Sequence, residues 1–183
     1  MKLPESRIFA VTINIEVIIL AIIFYIRQSL ISQGGEKKQL NKSKLFILGK
    51  CISSLLATIT CVSLSVLSVV TLEDHKKIHL IFSAFFFLSI LLYFIVSDII
   101  GKKVIFNVRT FSFLLPYLTI VIVIVYISII YKIFGNSKKK MKNYGAIMQY
   151  IGSFLIFLKV MLVGYDLPPS SIVVGSLSHV KTK

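Results

Sequence analysis

Acidic side chains are scarce in this chain: seven Asp and Glu stand against twenty-one Lys and Arg among 183 residues. Charged residues of all kinds make up only 15%, while apolar residues make up 56% and mean hydropathy is +0.90. A soluble domain of this size cannot hide so much apolar surface, which excludes that class and makes a bilayer the expected solvent. Cysteine is scarce too. Cys51 and Cys61 lie on one apolar segment, ~15 Å apart if it is helical, which excludes a disulfide between them. Both are expected to be apolar packers. Proline interrupts only one long apolar run, at Pro116, and no internal repeat is evident. The paired, broken helices typical of a transporter are therefore missing. There is no Ser-His-Asp set, no phosphate-binding glycine loop and no ligand cluster of clear spacing. The chain is expected to be non-enzymatic, with no cofactor.

What is present is a set of five apolar runs, at residues 7–25, 45–70, 79–100, 111–131 and 145–165. Each approaches or exceeds the ~20 residues that a helix needs to cross the hydrocarbon core. Backbone groups in lipid must be satisfied within the segment, and the runs are continuous rather than alternating, so helices are expected and barrel strands are not. The fold class read from the sequence is all-α: one polytopic helical bundle over residues 1–183 with five transmembrane helices. The first run reads as an anchor rather than a cleaved signal, because Tyr25-Ile26-Arg27-Gln28 follows it in place of a small-residue cleavage pattern. The connections, at residues 28–44, 71–78, 101–110 and 132–144, are too short for a soluble catalytic domain. They force successive helices to lie antiparallel. An odd number of spans places the termini on opposite sides.

The formal net charge of +14 would suggest nucleic acid in a soluble protein. Here the lysines flank the spans, at Lys37, Lys38, Lys42 and Lys44, and again at Lys138, Lys139, Lys140 and Lys142. They read as charges that orient the helices and attract anionic lipid headgroups; membrane lipids are the expected partners, together with a membrane or cytoplasmic protein, and nucleic acid is not. The face shared by the first loop, the third loop and the tail carries ten basic residues and the opposite face nine, so charge alone hardly fixes orientation.

Glu16 and Lys159 stand out because each lies inside an apolar run. An ionised side chain at mid-helix costs ~2.5–3.5 kcal/mol on insertion scales. The two runs enter from the same face, with a depth offset of ~7–8 Å, so the expectation is a buried pair, direct or through Asn14. Lys50 is expected to snorkel. Asn14, Thr58, Thr60, Ser63, Ser65 and Ser68 suit hydrogen bonding between helices. Gly49, Ser53, Ser54 and Ala57 make the second span the expected buried helix. The run Glu73-Asp74-His75-Lys76-Lys77-Ile78-His79 spaces two histidines for a metal, but it lacks a glutamate between them and carries two repelling lysines. A hydrogen-bonded cap on the third span is the plainer role for this run. Asn41-Lys42-Ser43 is a formal glycosylation acceptor, placed too near the second span for its use to be expected.

Several of these residues carry a family resemblance. Pro4-Glu5-Ser6-Arg7-Ile8-Phe9, Asn14 and Tyr25-Ile26-Arg27 resemble the second transmembrane helix of the damage-regulated autophagy modulators, the DRAM family within the Frag/DRAM/Sfk group. His79, Ala84, Phe85-Phe86 and Tyr93 resemble that family's fourth helix. Met148-Gln149-Tyr150 through Phe157-Leu158-Lys159 resembles its last helix, with Gln149 standing where the family commonly has Glu. The resemblance runs from Pro4 to about Asp166, with the family's first helix and following luminal loop without a counterpart. It implies cytoplasmic first and third loops and tail, with Lys138 to Lys142 luminal. It implies a lysosomal or other endomembrane location, a role in autophagy and no catalysed reaction, with the plasma membrane as the other location. The alternative is a lipid or small-solute transporter, or a lipid-signalling scaffold.

Overall fold

The computed structural model describes residues 3–40, 43–70, 75–104, 110–134 and 138–166, with side chains described at 7–40, 43–70, 75–104, 110–125, 128, 147, 150–151 and 152–164. Every regular element among them is helical: α1 (Leu3–Lys37), α2 (Lys44–Val69), α3 (Lys76–Val104), α4 (Thr110–Phe134) and α5 (Lys138–Asp166). Three of them, α1 from Arg7 onward, α2 and α3, are long and apolar enough to cross a membrane; the described apolar parts of α4 and α5, Thr110–Val125 and Tyr150–Gly164, are shorter.

Helix lengths depart from the sequence reading most at α1. Residues 28–37, expected as loop, continue the helix. At 1.5 Å per residue, α1 is ~50 Å long, well beyond a ~30 Å hydrocarbon core. The extension holds because it has an apolar face to bury: Ile31 packs with Phe46, Ile100 and Val104, and Leu30 and Leu40 lie against them. The helix stops just beyond Lys37. The Lys38 N–H donates to the Gly34 carbonyl at 3.1 Å, and Gln39 adopts a left-handed backbone with φ 55°.

The second span was expected to be the buried helix, but α3 is central. It packs against α1, α2, α4 and α5. Four small polar residues of α2, Ser53, Thr60, Ser63 and Ser68, are buried, while Leu48, Leu55 and Val62 point outward. Ser54 and Thr58 are exposed too, and the Thr58 hydroxyl donates to the Ser54 carbonyl of its own helix rather than to a neighbour. Close approach explains the choice of residues. A Cβ on Gly49 would stand 2.8 Å from the Ile100 Cδ1, and Thr60 and Ser89 share a hydrogen bond of 2.8 Å between α2 and α3. Bundles in lipid bring helices together through small side chains and such bonds, because lipid tails are as apolar as leucine.

Two apolar clusters form the interior. The larger contains Leu20, Phe24, Leu64, Ile90, Tyr93, Phe94, Ile156 and Val163. The smaller lies toward the far end of α1 around Ile31, Phe46, Ile100 and Val104. The outward surface is also apolar, with Ile8, Ile18, Leu88, Val121, Phe154 and Met161 exposed. Polar groups inside and apolar groups outside are the pattern of a chain solvated by lipid.

Candidate functional site: a buried ionic cluster

Between the two apolar clusters lies a charged layer. Arg27 follows Phe24 by one turn on α1, Asp98 follows Phe94 by one turn on α3, and Lys159 follows Ile156 on α5. All three are almost fully buried, with 3%, 1% and 1% of their surfaces exposed. Arg27 Nη2 donates to Asp98 Oδ1, and Lys159 Nζ donates to Asp98 Oδ2 at 2.7 Å. One carboxylate thus binds two cations, one through each oxygen, and joins three helices.

The lysine has further acceptors for a local reason. Its ammonium has three donors, and it also donates to the Ser112 carbonyl at 2.7 Å and to Ser112 Oγ at 2.8 Å. Pro116 lies four residues further along α4. It has no N–H, so the helical bond that the Ser112 carbonyl would otherwise accept is absent. The proline frees a carbonyl, and Lys159 takes it. The same ammonium lies 5.6 Å from the centre of the Phe94 ring, within range of a cation–π contribution.

Beside the cluster, a separate set of bonds ties α1 to α2. Gln28 Nε2 donates to the Lys50 carbonyl at 2.9 Å, and Ser53 Oγ donates to Gln28 Oε1 at 3.1 Å. Lys50 does not snorkel to the interface; its Nζ donates to Ser32 Oγ on α1 at 2.8 Å. Beside the cluster are two buried donors, Arg27 Nη1 and the Tyr93 hydroxyl, that have no hydrogen-bond partner of ordinary geometry among the described residues. A cleft between α1 and α2, lined in part by Gln28, Thr58, Cys61 and Tyr93, opens nearby.

The expected Glu16–Lys159 pair is not formed. Lys159 turns to Asp98 and Ser112, and half-buried Glu16 has no ion pair or hydrogen bond among the described residues. The physical reason is that both α1 and α5 pack on α3, which offers a carboxylate at the depth of Lys159. Asn14 does not bridge toward Lys159 either. It bonds the Ala10 carbonyl at 2.8 Å and Ser68 Oγ on α2 at 3.1 Å, as expected of a polar residue between helices. His79 Nδ1 lies 2.8 Å from the Val70 carbonyl at the end of α2. A carbonyl only accepts, so Nδ1 carries the proton, and the ring ties α2 to the first turn of α3. Gln149 sits in α5 with its side chain outside the described residues, as do those of Lys138 to Lys142; Glu73, Asp74, Asn41 and Lys42 also lie outside them. Among the described residues, no group of three or more His, Cys, Asp or Glu is placed to hold a metal. Cys61 lies against the larger cluster, but Cys51 is exposed rather than packed.

Asp98 and Arg27 escaped the sequence reading. Asp98 stands near the end of an apolar run, four residues before Lys102, and Arg27 at the end of another, where charges read as interface groups. The available signal was depth: with antiparallel neighbours, the ends of α1, α3 and α5 share a face, so Arg27, Asp98 and Lys159 lie toward the same side.

Three membrane-length apolar helices, an apolar outer surface and an internal ionic cluster define an integral membrane protein of the helical class. Within that class, residues 1–170 match the model of the Frag1/DRAM/Sfk1/Cwh43P N-terminal domain, and the chain belongs to this family. No curated protein and no solved structure matches it.

Proposed function

We propose that this chain is a five-span protein of lysosomal or other endomembranes that modulates autophagy without catalysing a reaction, as its DRAM-like residues imply. The observation that carries the reading is that the buried charges are spent on one another. Asp98 binds Arg27 and Lys159, and Lys159 also binds Ser112. Such a cluster holds α1, α3, α4 and α5 in one arrangement, which suits a protein that presents a fixed membrane surface to lipids and to a protein partner. The α4 and α5 helices, with 25 and 29 residues, are long enough to complete five spans.

A transporter of lipid or a small solute, or a lipid-signalling scaffold, is the second reading. The cleft between α1 and α2 beside buried charges favours it, because intramembrane ionisable groups often mark pathways. The test is to locate the tagged full chain in cells, measure autophagic flux with and without it, and assay purified protein in liposomes. Endomembrane location with altered flux and no transport is expected. Substrate-dependent transport, or plasma-membrane location with unchanged autophagic flux, contradicts the first reading.

A further inference from the structure

A separate groove runs between α2 and α3, at the end of the bundle where α1 stops. Its walls are apolar, formed by Leu45, Phe46, Val96, Ile99 and Ile100, with Gly49 between the two helices. Its mouth is polar, with Ser43 and Lys103. Lys38 is also held there: its Nζ donates to the Lys103 carbonyl at 3.1 Å. That bond occupies the negative end of α3 and brings a second ammonium to the mouth.

The mouth also contains the start of α2. Ser43 is its N-cap but makes no side-chain capping bond, so the first-turn N–H groups and the positive end of the helix dipole face outward. The nearest acid along α1, Glu36, is exposed and makes no ion pair among the described residues. The groove therefore combines an apolar slot with a cationic rim, in a protein whose outer surface is solvated by lipid.

We propose that this groove binds one anionic glycerophospholipid, with an acyl chain along Gly49 and Ile100 and the headgroup phosphate against Lys38, Lys103 and the start of α2. The selectivity comes from the rim and the seat from the walls. Neutral lipids fill the same slot more weakly, because they leave the two ammoniums without a net negative partner. This assignment needs only α1, α2 and α3 to lie in a bilayer, so it stands apart from the role in autophagy.

The sequence contains no tryptophan, so a single introduced one reports on its own surroundings. Ile99→Trp places it on the α3 wall, and Leu45→Trp provides a second reporter on the α2 wall. Leu118→Trp, on the exposed surface of α4, is the control. Each full-length variant is reconstituted in phosphatidylcholine vesicles containing a small fraction of brominated phosphatidylserine or brominated phosphatidylcholine, and fluorescence quenching is measured. Both groove reporters are expected to show an apparent affinity for the serine lipid about fivefold higher per lysine contributed, and the control to show none. Adding Lys38→Gln and Lys103→Gln to either groove reporter should abolish the preference. Equal quenching by both lipids at Ile99→Trp and Leu45→Trp, an equal preference at Leu118→Trp, or a preference that survives loss of both lysines would overturn the proposal.

Discussion

At the scale of single residues, Asp98 has the largest consequence, because its two oxygens serve two buried cations on different helices. Asp98→Ala leaves both cations without it and is expected to destabilise the bundle by about 3–5 kcal/mol, measured by unfolding in lipid or mild detergent. Glu16→Gln touches no ion pair or hydrogen bond among the described residues, and its expected effect is within about 0.5 kcal/mol. A loss at Glu16 as large as that at Asp98 would restore the pairing first read from the sequence. That reading found the unusual lysine and chose the wrong acid. Lys159 was conspicuous at the middle of an apolar run, whereas Asp98 and Arg27 sat where runs end. The partner choice depended on which helix lies at the centre, and apolar run lengths carry little information about that.

At the scale of elements, two proline and turn features can be tested. Pro116 frees the Ser112 carbonyl for Lys159, so Pro116→Ala restores an N–H that competes for the same oxygen. In a double-mutant cycle, Pro116→Ala and Lys159→Met are expected to be coupled by more than about 0.5 kcal/mol; additive effects would show that the freed carbonyl is incidental. Gln39 holds a left-handed backbone after α1 with φ 55°. Gln39→Gly is expected to raise stability by about 1 kcal/mol, because glycine adopts that conformation without the side-chain clash. The helices themselves were legible, since long continuous apolar runs permit little else in lipid. The end of α1 was not. Its last turns contain Gln28, Ser29, Gln33 and Glu36, which read as loop, and they are helical because Leu30 and Ile31 find an apolar cluster only in the folded bundle. Likewise, Ser53, Thr60 and Ser68 of α2 face its neighbours α1 and α3, but Ser54 and Thr58 are exposed, because two neighbours cover only part of the helix surface and small residues outside that part have nothing to pack on.

At the scale of the whole molecule, the sequence was sufficient for an integral membrane bundle, and the family match over residues 1–170 agrees with it. Five spans require the two ends of the chain to lie on opposite sides; protease protection of tags at each end should differ, and identical protection in a correctly inserted population would contradict the count. The ionic cluster ties α1, α3, α4 and α5 to one another, and the direct test is thermal unfolding of the full chain in lipid nanodiscs. The four proteins to compare are the unaltered chain, Asp98→Leu, the pair Arg27→Met with Lys159→Met, and the triple replacement. The triple variant has no stranded charge, so it is expected to unfold well above Asp98→Leu and close to the unaltered chain. A triple variant no more stable than Asp98→Leu, with losses that simply add, would contradict a shared carboxylate binding Arg27 and Lys159.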